Sequence, residues 1–263
     1  KSEVTKAFVT ERINFVISKI DSLSYLTDFN VDTLEGNIIL NISFLSEKKL
    51  KDVVRITAPV FASPYVMSNR IILVKGGDRI GDVQVPRGCM GIGTVCSITL
   101  NGIFLKSGLP VTSRYGGVVE VEGGIPKRFT SLISYDGSSM DPLEILIKSG
   151  ATDVAGAVAG NNGRILASMR EIPVASIREA EVLKEKMSHK GLGGSILFGK
   201  PNQPMLDVPV GIDKVGMLVV GGLNPIAAVE EAGISTESKA MSTLCEYSRL
   251  LAFNDAVSNL LYQ

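Results

Sequence analysis

The chain has 263 residues, 45% of them hydrophobic, with 27 basic against 27 acidic side chains and a single histidine. That balance excludes a free-standing grip on a nucleic-acid backbone, which takes a basic excess or a basic stripe. One histidine, His189, also leaves too little to build a catalytic triad or a multi-histidine metal site.

From the N-terminus, Val9, Ile13, Val16, Ile17 and Ile20 recur at helical spacing and predict an amphipathic helix over residues 5–20. Residues 1–23 read as a lead-in or linker, and an opening at Lys1 rather than Met suggests that more protein precedes it. Residues 24–45 read as a β-hairpin, with strands over 25–31 and 37–44 about a turn at Glu35-Gly36. A charged helix is expected from Ser46, as N-cap, to about residue 56. A strand over 71–74 and a turn-rich stretch over 76–81 come next. Asp82-Val83-Gln84-Val85, Gly91-Ile92-Gly93 and a helix-like run ending Lys106-Ser107-Gly108-Leu109 follow, then a strand over 117–121. Residues 123–150 hold a predicted strand, 129–135, and a helix opened by Asp141-Pro142.

The same order then recurs. Residues 154–159 and 165–172 form a second predicted hairpin about Asn161-Asn162-Gly163. A charged helix over 176–189 and a strand over 196–198 follow. Asp207-Val208-Pro209-Val210 leads to Gly216 and a run ending Glu231-Ala232-Gly233-Ile234, at a constant offset of 125 from its first edition. Gly36-Asn37-Ile38-Ile39-Leu40 echoes Gly163-Arg164-Ile165-Leu166-Ala167, and Ser113-Arg114 echoes Ser238-Lys239. Such a repeat implies one unit used twice about a pseudo-twofold axis. The expected fold is therefore α+β (mixed α/β), an internal duplication of a β-hairpin–helix–strand–strand–helix–strand unit giving two helix-backed sheets. The first lobe spans 24–150, including the inter-repeat segment, and the second 151–263.

Chemistry is harder to find. Cys89, Cys96 and Cys245 make neither a C-x-x-C pair nor a zinc spacing, so a reduced, cytoplasmic compartment is expected, with no metal. No apolar run approaches the roughly 20 residues that cross a bilayer, and no signal peptide opens the chain. Gly91-Ile92-Gly93 lacks the third glycine of a dinucleotide fingerprint, where Cys96 stands instead. The repeated helix starts offer unpaired N–H groups to an anion. In copy one the start carries Gly93, Thr94, Cys96, Ser97, Thr99 and Asn101, with Arg114 beyond the helix. In copy two it carries Gly221, Gly222 and Asn224, the last as N-cap before Pro225, with Lys239 beyond. A carboxylate ligand would suit either set, copy one better because arginine binds carboxylates bidentately. Glycines that only permit close packing, and a Cys96 that is simply a buried thiol, account for the same residues. No catalytic residue is identified.

Residues 219–234, Val-Val-Gly-Gly-Leu-Asn-Pro-Ile-Ala-Ala-Val-Glu-Glu-Ala-Gly-Ile, resemble the signature of the NrpR regulatory domain. Residues 93–102, 113–117 and 140–144 resemble the same family, and the likeness runs from about residue 25 to about 251. The resemblance implies an archaeal transcriptional repressor of nitrogen fixation and assimilation genes, whose regulatory domains form homodimers and sense 2-oxoglutarate. It implies operator binding through an N-terminal winged helix, which this sequence lacks; the helix at 5–20 would be the stub of the linker to it. The reading is a non-enzymatic effector and dimerisation domain with no cofactor other than 2-oxoglutarate as effector. The alternatives are a small-metabolite enzyme on a duplicated α/β unit and a ligand-free dimerisation module.

Overall fold

The computed structural model describes residues 15–261. Helix α1 (Val16–Leu26) leads to a long strand, β1 (Asn37–Ser46), and one 3-10 turn joins that strand to α2 (Leu50–Phe61). Strand β2 (Arg70–Lys75), a small hairpin of β3 (Arg79–Ile80) and β4 (Val83–Gln84), and β5 (Cys89–Val95) follow, then α3 (Ile98–Lys106) and β6 (Thr112–Glu122). Between the copies run β7 (Ile125–Ser134), α4 (Pro142–Lys148) and α5 (Val154–Gly160). The second copy repeats the order as β8 (Gly163–Pro173), α6 (Ile177–His189), β9 (Ile196–Phe198), β10 (Lys214–Val220), α7 (Asn224–Glu231) and β11 (Glu237–Glu246). A short β12 (Leu251–Ala252) and α8 (Phe253–Leu261) follow. None of the described helices is long and apolar enough to cross a membrane.

The duplication is present in three dimensions, with an exchange. One sheet runs β11-β1-β5-β2-β12 and the other β7-β6-β8-β10-β9. Each copy gives its last strand to the other copy's sheet: β11 pairs antiparallel with β1, and β6 with β8. The boundary expected at 150/151 thus divides the sequence but not the sheets. Registers agree between copies, Leu40 facing Val95 in one and Ala167 facing Val220 in the other. Both exchanged pairings are broken by a bulge, near Asn41 and at Arg114. Strands β1 and β8 lie inside their sheets and are buried along almost their whole length. That is why they read as near-continuous apolar runs rather than as alternation.

Three local expectations are corrected. Neither hairpin forms. The chain over 25–31 finishes α1 and then turns, its one pairing being the Asn30–Glu35 bridge, and residues 154–160 are the helix α5. Short apolar runs do not distinguish strand from helix, and here an alanine-rich run begins at a cap, the Asp153 carboxylate accepting the Gly156 N–H at 3.1 Å. Ser46 is the last residue of β1 and makes no side-chain cap; the 3-10 turn at 47–49 delays α2 to Leu50. Finally, the first part of the helix expected over 5–20 lies outside the described residues, and the described part is built into the fold rather than set apart as a linker. Helix α1 packs across α3 and β11. Its Val16 and Ile20 share a small core with Ile39, Cys96, Ile98, Tyr135 and Met241, separate from the main one.

The helix start expected at Asp141-Pro142 forms as expected. Asp141 caps α4, accepting from the Leu143 N–H at 2.9 Å and the Glu144 N–H at 3.3 Å. Burial, with the charge of Glu144 adding to it, raises the Asp141 carboxyl from 3.8 to about 6. The folded state therefore binds this proton more tightly than the unfolded chain. The stability that results is complete below about pH 3.8 and is lost as pH rises through about 6. Asp141→Asn keeps a capping oxygen and removes the titration. Melting of the two proteins across that window should show the variant gaining on the parent by about 3 kcal/mol between acid and neutral pH. Parallel pH profiles would refute the assignment.

Candidate functional site

The expected sites lie where the two copies meet, because the strand-to-helix junction of each copy packs against the other copy or against its own first strand. The ladder between β1 and β5 ends at Leu40 and Val95, leaving the next N–H and C=O of β1, at Ile39, without strand partners on that side. Cys96 donates its backbone N–H to the Ile39 carbonyl at 2.8 Å. The Thr99 hydroxyl accepts from the Ile39 N–H at 3.0 Å and donates to its carbonyl at 3.2 Å. Copy two repeats this with different chemistry. Gly221 donates its N–H to the Leu166 carbonyl at 2.8 Å. Asn224 accepts from the Leu166 N–H at 2.8 Å and donates to the carbonyls of Leu166 at 3.1 Å and Tyr65 at 3.0 Å. Thr99 and Asn224 are thus the same part in two copies, and both are spent on strand backbone. Asn224 is not the N-cap expected of it: Leu223 takes that position, and Asn224 opens the helix.

The remaining candidates divide sharply. A Cβ on Gly93 would sit 2.4 Å from Ile72, one on Gly221 2.9 Å from Leu166, and one on Gly222 2.2 Å from the Val95 carbonyl oxygen. These glycines serve packing. Cys96 is buried in the small core, and desolvation pushes its thiol up to about 12, so it stays protonated. The Thr94 hydroxyl is buried without a hydrogen-bond partner among the described residues. Lys239 is exposed, 3.7 Å from Glu237 and over the ring of Phe44. Arg114 does not join the α3 start. The bulge turns its side chain toward Glu171, 3.9 Å away, and over Tyr115. Glu171 points to the opposite face of the sheet from its neighbour in β8, because successive strand residues alternate.

That neighbour is the cation the α3 start receives. Arg170 has no solvent exposure and is the largest fully buried side chain. Its Nη2 donates to the Ser97 hydroxyl at 2.9 Å, its Nη1 donates to the Asn101 side-chain oxygen, and its Nε has no partner among the described residues. Asn101 in turn donates to Ser113 at 3.0 Å, and Ser113 faces Arg170 across the β6–β8 ladder. Beside this network the Tyr135 hydroxyl and Ser168 share a hydrogen bond of 2.9 Å. Among the described residues no carboxylate comes within ion-pair distance of Arg170. Burial lowers its pKa to about 10, which leaves it charged at neutral pH. The equivalent place in the other copy holds only Ser43 against Ser238, 2.8 Å apart, with Gly222 and Ile226 where Ser97 and Asn101 stand. One signal for Arg170 was present in the sequence: an arginine inside the apolar run over 165–172.

A groove of about 420 Å³ between α3, α6 and residues 28–32 offers Lys106 and Lys186. Lys186 is paired with Asp32 and Lys106 lies over Tyr25; the Asn37 N–H, with Lys106 a lesser contributor, lowers the pKa of Asp28. Carboxylates on the same wall make that groove a poor host for a dianion.

Residues 13–251 match the model of NrpR regulatory domains NRD1 and 2. The chain is 34% identical over 250 residues to the global nitrogen regulator NrpRI of Methanosarcina mazei, covering 95% of this chain and 77% of that protein. It is 28% identical over 244 residues to the global nitrogen regulator NrpR of Methanocaldococcus jannaschii, covering 93% of this chain and 41% of that one. Among solved structures it resembles a nitrogen repressor-like protein from Methanococcus jannaschii, with a TM-score of 0.77 and 27% identity, over 92% of this chain and 100% of that. The match extends through both copies and the segment between them, and on that breadth the chain belongs to the NrpR regulatory-domain family of archaeal nitrogen regulators.

Proposed function

We propose that this chain is the effector-sensing and dimerising part of a repressor of nitrogen fixation and assimilation genes, responding to 2-oxoglutarate. The observation that carries the reading is a buried, protonated guanidinium at the junction of the copies with no carboxylate among the described residues to neutralise it. Such a charge is costly unless paired, and a small dianion supplies the missing partner. An enzymatic role draws no support from the junction, where Thr99 and Asn224 are bound to backbone and the Cys96 thiol is un-ionised. With 27 basic and 27 acidic residues, operator contact is assigned to a winged-helix domain outside this stretch. The effector must bind the operator-released arrangement of the homodimer better than the bound one, since equal affinity shifts nothing.

Isothermal titration of the 263-residue chain with 2-oxoglutarate, against glutamate and succinate, tests this directly. Selective heat with 2-oxoglutarate is the expected result. Its absence in a folded dimer would reduce the chain to a dimerisation module.

A further inference from the structure

We infer that the Arg170 guanidinium, presented through Ser97 and Asn101 at the start of α3, anchors a carboxylate of the effector, and that α1 is the cover that must lift to admit it. This rests on the effector-sensing reading above and names its residue.

Two independent features converge on this spot. The start of α3 faces Arg170 with its N-cap residue, Ser97, and with Asn101 one turn on. Helix starts favour anions, yet here the group bound is a cation. A cation placed against a helix start is electrostatically mismatched; an anion lying between them satisfies both. The second feature is the unfilled valence. Arg170 uses Nη1 and Nη2 on neutral oxygens, while its Nε–H, fully buried, finds no acceptor among the described residues. A guanidinium has five N–H donors arranged to hold a carboxylate by two parallel bonds. Only one copy has the arginine, so the duplicated fold carries one such anchor rather than two.

The cover follows from what surrounds the network. Tyr135, bonded to Ser168 beside Arg170, and Cys96 are both buried in the small core that Val16 and Ile20 of α1 complete. Besides that packing, the Val16 N–H donates to the Ser138 carbonyl at 2.8 Å, and Lys19 donates to the Ala240 carbonyl at 3.1 Å. Ligand entry between Tyr135 and Arg170 parts this core. Helix α1 is also the element through which force would pass to anything attached before it.

The test is calorimetric titration of the 263-residue chain and its Arg170→Met and Arg170→Lys variants with 2-oxoglutarate, succinate and glutamate. Melting temperatures establish folding, and methionine in place of a buried unpaired charge is expected to hold or raise the melting point. Loss of 2-oxoglutarate affinity by about tenfold or more in Arg170→Met, with a smaller loss in Arg170→Lys, is the expected result. Unchanged affinity in a folded Arg170→Met overturns the anchor while leaving the sensor reading intact. Arg170-dependent binding of succinate or glutamate, without 2-oxoglutarate binding, keeps the anchor and overturns the sensor reading. No binding of any of the three overturns both.

Should Arg170→Met fail to fold, the Nε–H resonance of Arg170 in the unaltered chain decides. A shift on saturation with 2-oxoglutarate supports the anchor, and an unmoved resonance overturns it. Amide exchange over residues 16–26 should change on binding; unaltered exchange there overturns α1 as the cover.

Discussion

Asn224→Ala should lower the stability of this domain by about 4 kcal/mol, the largest loss expected of any single truncation at the junction of the copies. Its side chain is completely buried and serves three backbone groups, the Leu166 N–H, the Leu166 carbonyl and the Tyr65 carbonyl. Removing the amide strands the Leu166 N–H and the Tyr65 carbonyl, while the Leu166 carbonyl keeps only the Gly221 N–H, and each buried orphan costs about 1–3 kcal/mol. Relaxation and some water entry hold the total below their sum. Thr99→Val is the matched control in the other copy. It loses only the two bonds to Ile39 and should cost about 2 kcal/mol. Urea titration of the two variants reads the difference. If Asn224→Ala costs no more than Thr99→Val, the asparagine is not holding the strand as described. A fold of this kind has only about 5–15 kcal/mol to lose, so Asn224→Ala should melt well below the parent.

Gly222→Ala is expected to destabilise by about 3 kcal/mol or more, near the upper end for overpacking. Its added Cβ would lie 2.2 Å from the Val95 carbonyl oxygen and 2.8 Å from the Asn41 amide nitrogen. The first of these is backbone, at the end of β5, and cannot swing aside as a side-chain tip would. Val95 belongs to copy one and Gly222 to copy two, so the strain falls on the contact between them. Gly160→Ala is the control: nothing lies within 4 Å of its added Cβ. That change should be neutral or stabilise by up to about 1 kcal/mol. Equal melting temperatures for the two variants would show that the copies are packed less closely here than the distances state.

The sequence alone determined the duplication, the α4 start at Asp141-Pro142, strand β9 and the family. Each of these is local or repeated: a cap with proline behind it, a short apolar run, a motif recurring at a fixed offset. The hairpins failed because short apolar runs do not separate strand from helix: the Asp153 cap and packing against α7 and β8 make 154–160 a helix, and residues 25–31 finish α1 against α3 and turn.

Only the tertiary structure decided which copy's strand completes which sheet, since the offset between repeats is the same whether the last strand stays or crosses. That exchange in turn placed the functional groups. Ser97 and Asn101 of copy one meet Arg170 of copy two, 73 and 69 residues away in sequence. Local spacing could only match a helix start with the first cation beyond its helix, Arg114, which a bulge sends to the other face. The polar residues at the two helix starts look alike as potential ligand donors. Thr99 and Asn224 are consumed by strand backbone because the β1–β5 and β8–β10 ladders stop one residue short of Ile39 and Leu166, and Arg170 is left charged and incompletely bonded because no carboxylate among the described residues lies beside it.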